Sequence, residues 1–154
     1  MQKLTDIVEE LNQLKIELTN KMKEKFKETY KEIFVQIPTL NAITFTAYTD
    51  YFNDGETCNY YVHSLVAVFS EFDEEDILSP EDYEYSEDDV NISYYTNYSK
   101  KLEITEEQYN LLRGFMNFIR ASDSATFIKD MFGDHVQVTL TRDEIYIEEY
   151  FDHD

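Results

Sequence analysis

The first 37 residues contain neither glycine nor proline, and apolar side chains recur through them at helical intervals. The apolar positions are Leu4, Ile7, Leu11, Leu14, Leu18, Met22, Phe26 and Tyr30. The first five alternate intervals of three and four residues, and the last three follow at intervals of four, which keeps them on one helical face. The sequence therefore predicts one long helix from Gln2 to about Ile33, which Pro38 helps to end.

Two roles fit this apolar face. In the first, the face covers a sheet of the same chain. In the second, part of the helix pairs with a second chain, because alternating intervals of three and four are the heptad pattern of a coiled coil. That strict pattern ends after Leu18, so a homodimer through the N-terminal helix is the alternative interpretation.

Alternation and turn signals predict strands after this helix. Residues 42–52 alternate between two sides, and an Asn-Asp-Gly turn signal follows at 53–55. A second strand is predicted over 57–69, and its end at 65–69 is a continuous apolar run typical of a sheet centre buried on both faces. A third strand is predicted over 91–98.

The next helix begins with a capping box, in which Thr105 is the cap and Gln108 stands at the reciprocal position. It is predicted to run to about Arg120. Its expected buried residues are Tyr109, Leu112, Phe115, Met116 and Ile119.

The C-terminal part predicts a second helix and a hairpin. Ser122 or Ser124 caps a short helix, and Gly133 closes it. Strands over 136–140 and 145–150 then form the last hairpin.

Together these elements predict an α+β fold. It consists of an antiparallel sheet of four or five strands, a long N-terminal helix and a C-terminal helix pair. No repeat or linker divides the chain, so residues 1–154 are expected to form a single domain, with the long helix over 1–33 and the sheet and helices over 42–154.

The formal charge of −20 is distributed unevenly. Residues 1–32 carry seven lysines and seven acids, whereas 33–99 carry fourteen acids and no lysine or arginine. The tail, 143–154, adds six acids and no basic residue. Such a chain is not expected to bind nucleic acid or an anionic membrane directly, because both would repel it.

The densest acidic segment, 71–89, holds eleven acids in nineteen residues. We predict that this segment binds a partner. The predicted partner-binding residues are Glu71, Asp73, Glu74, Glu75, Asp76, Glu81, Asp82, Tyr83, Glu84, Tyr85, Glu87, Asp88 and Asp89. The acids supply the field and the two tyrosines supply contact area for a basic protein surface, such as a nucleic-acid-binding groove.

This prediction describes a DNA mimic or charge-complementary inhibitor. Two other interpretations stay open. The segment can be a solvated acidic loop that only keeps the protein soluble. The chain can also be an acidic structural or scaffold protein that self-associates through its N-terminal helix.

Chemical motifs are sparse, so we expect no enzyme, no metal site and no cofactor. Around Gly55, a calcium loop would need acids where Phe52 and Tyr61 stand. Cys58 and His63 are five residues apart and fall on opposite faces of a strand. His135 has a neighbouring carboxylate, but a structural role is the simpler interpretation.

The location is expected to be cytoplasmic. The sequence has no run of about 20 apolar residues, which a membrane-spanning helix would need. Its first residues lack the apolar core of a secretory signal, and a single cysteine, Cys58, suits a reducing compartment.

Two motifs carry a resemblance. Residues 48–55 read Tyr-Thr-Asp-Tyr-Phe-Asn-Asp-Gly, with Cys58 shortly after, and 132–135 read Phe-Gly-Asp-His. They resemble a group of uncharacterised bacterial and tailed-phage proteins, which usually have proline where Asp50 stands and a turn glycine where Glu144 stands. The resemblance implies an intact domain and a phage origin. By association it favours an inhibitor of a host nucleic-acid-handling or defence protein, acting in the host cytoplasm.

Overall fold

A computed structural model gives the structure of the protein, and it describes residues 3–49, 59–69, 73–75, 77 and 104–150. The elements in chain order are α1 (Leu4–Gln36), β1 (Ala42–Thr49), β2 (Tyr60–Val68), α2 (Glu106–Arg120), α3 (Ala125–Phe132), β3 (Val136–Thr141) and β4 (Ile145–Glu149). A 3-10 turn, Ser122–Ser124, joins α2 to α3. The predicted α+β class is confirmed, with a long N-terminal helix, a four-stranded antiparallel sheet and C-terminal helices.

Helix α1 continues one turn beyond the predicted end at Ile33. It stops at Gln36 because Pro38 disfavours helical geometry at the residue before it. Ile37 leaves the helical region, although its N–H still donates to the carbonyl oxygen of Ile33 at 2.9 Å. The proline therefore acts as the stop signal that the sequence indicated.

The sheet has the strand order β2-β1-β3-β4, and all neighbours are antiparallel. The apolar end of β2, Leu65 to Val68, is buried on both faces as predicted. Its predicted place at the sheet centre is wrong for the described strands, because β1 and β3 occupy the centre. An apolar run reports that both faces of a strand are covered, and it does not report how many strands flank it.

The described helices pack against one face of this sheet. Phe45 of β1 and Val138 of β3 belong to the same core as the helices. On the other face Thr44 and Thr139 are also buried, and their hydroxyl oxygens lie 3.1 Å apart in a hydrogen bond across the two central strands. That pairing satisfies two hydroxyl groups that burial would otherwise penalise.

Helix α2 confirms its prediction closely. The Thr105 hydroxyl accepts from the N–H of Gln108 at 3.0 Å, and the Gln108 side chain accepts from the N–H of Thr105 at 2.8 Å. The five residues predicted to be buried are Tyr109, Leu112, Phe115, Met116 and Ile119, and all five are buried. A reciprocal cap of this kind fixes the start of a helix through local sequence alone.

The C-terminal elements also follow the prediction, apart from the cap of α3. Gly133 ends α3 with φ at 99°, a backbone conformation that residues other than glycine rarely adopt. Ser124 stands at the N-cap of α3, but its side chain makes no capping hydrogen bond. The β3–β4 turn closes as expected, with the N–H of Thr141 donating to the Glu144 carbonyl oxygen at 2.9 Å.

Phe26 links the helices at the centre of the core. Its ring lies 5.3 Å from that of Phe115 in α2 and 5.7 Å from that of Phe132 in α3, measured between centroids. The Phe132 ring in turn lies 5.8 Å from that of Phe45 in β1. Aromatic pairs at these separations pack favourably in addition to the area they bury.

Several predictions fall on residues outside the described ranges. These are the start of the first helix at Gln2, the turn at 53–55, the extension of the first strand over 50–52 and the third strand at 91–98. Within the described ranges, no helix combines the length and the hydropathy that crossing a bilayer requires.

Candidate functional site

The amino-terminal half of α1 carries an exposed row of apolar side chains. We call this row the seam, and its members are Leu4, Ile7, Leu11, Leu14 and Leu18. They are between 41% and 76% exposed, and every residue from 4 to 18 is exposed. The expectation that the whole face covers the sheet of its own chain is therefore wrong for the seam.

Among the described residues, only the carboxyl-terminal half of α1 has side chains buried against the other elements. Its buried residues are Phe26, Tyr30, Ile33 and Phe34. The contact begins near Lys23, whose ammonium lies 3.3 Å from the carboxylate of Asp130 in α3. A helix of 33 residues is about 50 Å long, so the seam projects well beyond the packed part.

A groove lies between α1 and α2. The two helices run in opposite directions, because Gln108 near the start of α2 donates to the carbonyl oxygen of Gln36 at 2.8 Å. The groove has a volume of about 520 Å³, and it lies at the middle of this contact. Its main apolar lining residues are Met22, Phe26, Ile33, Leu111, Phe115 and Phe118.

The outer wall of the groove is an exposed apolar strip on α2. Leu111 and Phe118 are 41% and 39% exposed, and Gly114 lies between them at intervals of three and four residues. In the described part of the chain, a Cβ atom added to Gly114 would meet no atom within 4 Å. Packing within the chain therefore does not require glycine here, although glycine costs about 1 kcal/mol relative to alanine inside a helix.

Only three of the thirteen predicted partner-binding residues lie in the described part of the chain. Asp73, Glu74 and Glu75 are exposed, and the Asp73 carboxylate accepts from the N–H of Glu75 at 2.9 Å. The other ten lie outside the described residues. They are Glu71, Asp76, Glu81, Asp82, Tyr83, Glu84, Tyr85, Glu87, Asp88 and Asp89.

Tyr146 in β4 connects the acidic segment to the sheet. Burial of its phenol, together with the nearby carboxylates of Glu74 and Glu144, raises the pKa of Tyr146 to about 12. The two carboxylates disfavour the phenolate because it would add a third negative charge. Glu74 thereby lies beside the acidic β3–β4 turn, which enlarges the exposed negative surface.

A cluster of polar side chains lies where β1 ends and β3 begins. The Asp134 carboxylate accepts from the N–H of Thr49 at 2.8 Å and from its hydroxyl at 2.7 Å. It also accepts from the N–H of His135 at 2.9 Å and lies 3.7 Å from the ammonium of Lys129. Burial alone would raise the pKa of Asp134, but the hydrogen bonds and the His135 ring lower it overall.

Rings lie beside the same cluster. The His63 ring stacks on Tyr48 with centroids 3.6 Å apart and planes 5° apart, and Tyr48 also lies 6.4 Å from His135. The Tyr60 hydroxyl donates to the carbonyl oxygen of Gly133 at 3.0 Å, and burial and nearby Asp134 raise the pKa of Tyr60. His135 itself has φ at 53°, a conformation that a turn imposes.

This cluster acts as a structural clamp. The Asp134 oxygens hold the β1 end and the turn before β3, and Tyr60 is bonded to Gly133. Within the described residues, no three metal-ligating side chains converge on one point. The simpler interpretation of His135, a structural role beside a carboxylate, agrees with these contacts.

The seam was visible in the sequence, but the groove was not. The helical spacing predicted the buried face of α2, and the other apolar residues of that helix lie outside this face. Leu111 and Phe118 are seven residues apart and lie off that buried face. This spacing is the one sequence signal that could have indicated a second apolar strip.

A comparison of the chain with protein-family models, with curated proteins and with solved structures found no match. The resemblance to bacterial and tailed-phage proteins stays a prediction.

Proposed function

We propose that the chain is an acidic binding protein that self-associates through the seam of α1. The observation that carries this proposal is the exposure of five aliphatic side chains in heptad spacing on the half of α1 that the described part of the chain leaves uncovered. Helices in proteins owe most of their stability to packing of an apolar face. A projecting apolar helix is therefore stabilised when a second helix covers it.

The charge distribution favours a second copy as the partner. Residues 1–32 are neutral, whereas the rest of the chain carries the whole excess of −20. That excess lies in 33–99 and in the tail, 143–154, so two copies repel each other through these segments, whereas residues 1–32 and 100–142 add no net charge. Within α1, residues 4–18 carry four acids and one lysine, whereas residues 19–36 carry five lysines and three acids. A second copy can therefore approach α1 at low electrostatic cost when the seam of one copy lies along the lysine-rich half of the other.

The energies are of the right order for such a pair. Burying one aliphatic side chain contributes about 1.5–3 kcal/mol. Association costs about 4–15 kcal/mol in lost freedom of motion. The five seam residues of each copy can offset that cost, and the net affinity is expected to be moderate.

The test is the oligomeric state measured by sedimentation velocity. The wild-type chain is expected to form a dimer, and the Leu11→Asp, Leu18→Asp double variant is expected to be a monomer with unchanged helical content. The matched control is Gln13→Asp, Asn20→Asp, which adds the same charges at the same spacing on the opposite face of α1. The control should stay dimeric. A monomeric wild-type chain at high concentration would refute the proposal.

A second function, binding of a basic protein surface, is favoured by the acidic surface near β4. Asp73, Glu74 and Glu75 are exposed, and Glu74 lies beside Glu144 through Tyr146. We propose that this surface and the rest of segment 71–89 bind a basic groove of the kind that holds nucleic acid. If the chain is phage-encoded, the partner is a host nucleic-acid-handling or defence protein.

Competition with duplex DNA tests this second function. The chain should displace DNA from a basic DNA-binding protein, and the displacement should weaken as salt is added. Changing the three acids at 73–75 to amides should reduce it, whereas changing three acids of α1, Asp6, Glu9 and Glu17, to amides should not. Equal loss in both variants would show that only net charge matters.

A further inference from the structure

We infer that two copies pair with their α1 helices antiparallel, so that the seam of each copy enters the groove between α1 and α2 of the other. This inference rests on self-association through the seam and adds its direction and its second contact surface. Each seam then covers a groove, and each groove covers a seam. The arrangement is closed and two-fold symmetric, as most homodimers are.

The seam and the groove lie along the same side of α1. Met22, which lines the groove, follows Leu4 by 18 residues, which is about five full turns. A helix that lies along the seam therefore continues directly into the groove without changing direction. One partner helix can contact both surfaces.

The order of charged and apolar residues along α1 decides whether the partner helix runs parallel or antiparallel. In a parallel pair each level of α1 faces the same level of the other copy, so Lys25, which lines the groove together with Thr29, would face the partner's Lys25 and bring two like charges together. In an antiparallel pair Leu14 faces the partner's Leu18, and Leu4 and Ile7 reach the groove level. Apolar side chains then meet an apolar surface.

One charged pair gives a smaller preference for the parallel direction. Parallel pairing would place Glu10 near the partner's Lys15 at the coiled-coil rim. An exposed rim pair contributes only a fraction of what burying one leucine contributes. Antiparallel pairing also places the two acidic bodies at opposite ends of the helix pair, which lowers their mutual repulsion.

Gly114 supports a helix as the occupant. It is exposed in the groove wall, it has helical neighbours on both sides, and no described residue fills the space beside it. Glycine at a helix contact lets a second backbone approach closely. The seam residues can therefore reach Leu111 and Phe118 on either side of that glycine.

The seam alone is short for a stable two-stranded coiled coil. It covers 15 residues, about two heptads or 21 Å of helix, and isolated helices of that length are marginal. The groove adds the apolar strip of α2 to the contact. The two surfaces together provide an area that the seam does not provide by itself.

Spin-label distances test the direction. Asp6 is exposed, so a label at Asp6→Cys, in a Cys58→Ser background, should not disturb the contact. With Leu14 opposite the partner's Leu18, the two labels lie about 30 Å apart along the helix axis. Parallel pairing would bring them within about 20 Å, and that result would overturn the inference while leaving self-association through the seam intact.

Two variants of Gly114 test the groove. Gly114→Leu fills the space beside α2 and is expected to weaken the dimer by about tenfold or more. Gly114→Ala favours the helix in the same way but adds only a methyl group, and it should leave the dimer nearly unchanged. Both variants should keep the helical content of the wild-type chain, because the added atoms meet no described residue of the same chain.

The outcomes separate the two proposals. If the Leu11→Asp, Leu18→Asp variant dissociates and Gly114→Leu stays dimeric, the seam functions without the groove and the inference fails. If Gly114→Leu stays dimeric but no longer binds an apolar fluorescent dye, the groove holds a small ligand and the inference also fails. Dissociation by both variants, with labels about 30 Å apart, supports it.

Discussion

Thr49 and Asp134 join the end of β1 to the turn before β3 across 85 residues of sequence. The Thr49 N–H and hydroxyl donate to different oxygens of the same carboxylate, at 2.8 and 2.7 Å. Charge-assisted hydrogen bonds of this kind are about twice as strong as neutral ones. The pair therefore fixes the edge of the sheet on which Tyr48, His63 and His135 stack.

Asp134 should make stability depend on pH in acid. Its pKa is lower in the folded chain than its ordinary value of 3.8, so the carboxylate stabilises the fold above that value. This contribution is lost as the pH falls through the lowered folded pKa. We expect Asp134→Asn to lower the free energy of unfolding at pH 7, and the difference from wild type to shrink below about pH 4. Urea unfolding at a series of pH values measures both.

The alanine variant separates geometry from charge. Asp134→Asn keeps an oxygen acceptor for the N–H groups of Thr49 and His135, whereas Asp134→Ala removes every acceptor. The loss for alanine should be about 1.5–3 kcal/mol and larger than the loss for asparagine. Equal stability of the two variants at all pH values would mean that the carboxylate does not hold β1.

Local signals predicted the helices better than the contacts between them. The capping box of Thr105 and Gln108 and the stop at Pro38 depend on neighbours a few residues away, so the sequence shows them directly. The bonds of Thr49 with Asp134 join residues 85 positions apart, and a single sequence contains no signal for such a pair. That is why the sequence could predict the strands, but not the hydrogen bonds that join the end of β1 to the turn before β3.

Arg142 caps the end of α1 from the β3–β4 turn. Its guanidinium donates to the carbonyl oxygens of Phe34 at 2.7 Å, Pro38 at 3.0 Å and Leu40 at 3.0 Å. Helix α1 has no basic residue in its last turn, so Arg142 supplies the positive charge that a helix C-terminus favours. Arg142→Ala should lower the free energy of unfolding by about 1.5–3 kcal/mol.

Lysine should restore little of that loss. A single ammonium cannot reproduce the planar fork that reaches three carbonyl oxygens. Asp143→Asn in the same turn is the control, and it should change the free energy of unfolding by less than about 0.5 kcal/mol. Full stability of Arg142→Lys in urea unfolding would show that charge near the helix end is enough.

Gln108 serves two helices with one side chain. Its oxygen accepts from Thr105 at the start of α2, and its Nε2 donates to the Gln36 carbonyl oxygen at the end of α1. Gln108→Glu keeps the first bond and loses the second, and it places a negative charge beside a carbonyl oxygen. We expect a loss of about 1 kcal/mol at pH 7, although glutamate is otherwise favourable at this helix position.

Acid should restore part of this loss. Below the pKa of the introduced carboxyl group, its proton can again be donated to the Gln36 carbonyl oxygen. The difference in free energy of unfolding between variant and wild type should therefore be smaller at about pH 3 than at pH 7. A variant that is more stable than wild type at pH 7 would show that the helix dipole outweighs the bond to Gln36.

The sequence could predict the seam but not the groove, for a related physical reason. Periodicity shows which side of α1 is apolar, but the same pattern results whether a sheet or a second molecule covers that side. Leu18 and Phe26 are equally apolar in sequence, yet one is 60% exposed and the other 4%. The position of α2 and α3 along α1 determines this difference, and that position depends on the tertiary fold.

Tyr146 reports whether Glu74 is fixed beside β4. Its raised pKa, about 12, comes from burial and from the carboxylates of Glu74 and Glu144. The neutral phenol is favoured, so the ring should stay protonated as the pH rises past 10 and lose its proton only near 12. The ring carbon that bears the hydroxyl, followed by NMR during a pH titration, measures this pKa, and Tyr146→Phe assigns the signal.

Changing Glu74→Gln should lower the pKa of Tyr146 toward 10, because it removes one of the two negative charges that disfavour the phenolate. Glu75→Gln is the matched control, since its carboxylate is not among the groups that raise this pKa. It should leave the titration nearly unchanged. If both variants shift the pKa equally, the field around Tyr146 is diffuse and Glu74 is not specifically positioned. A shift for Glu74→Gln alone means that this part of the acidic segment has a defined place on the sheet, which a complementary basic partner requires.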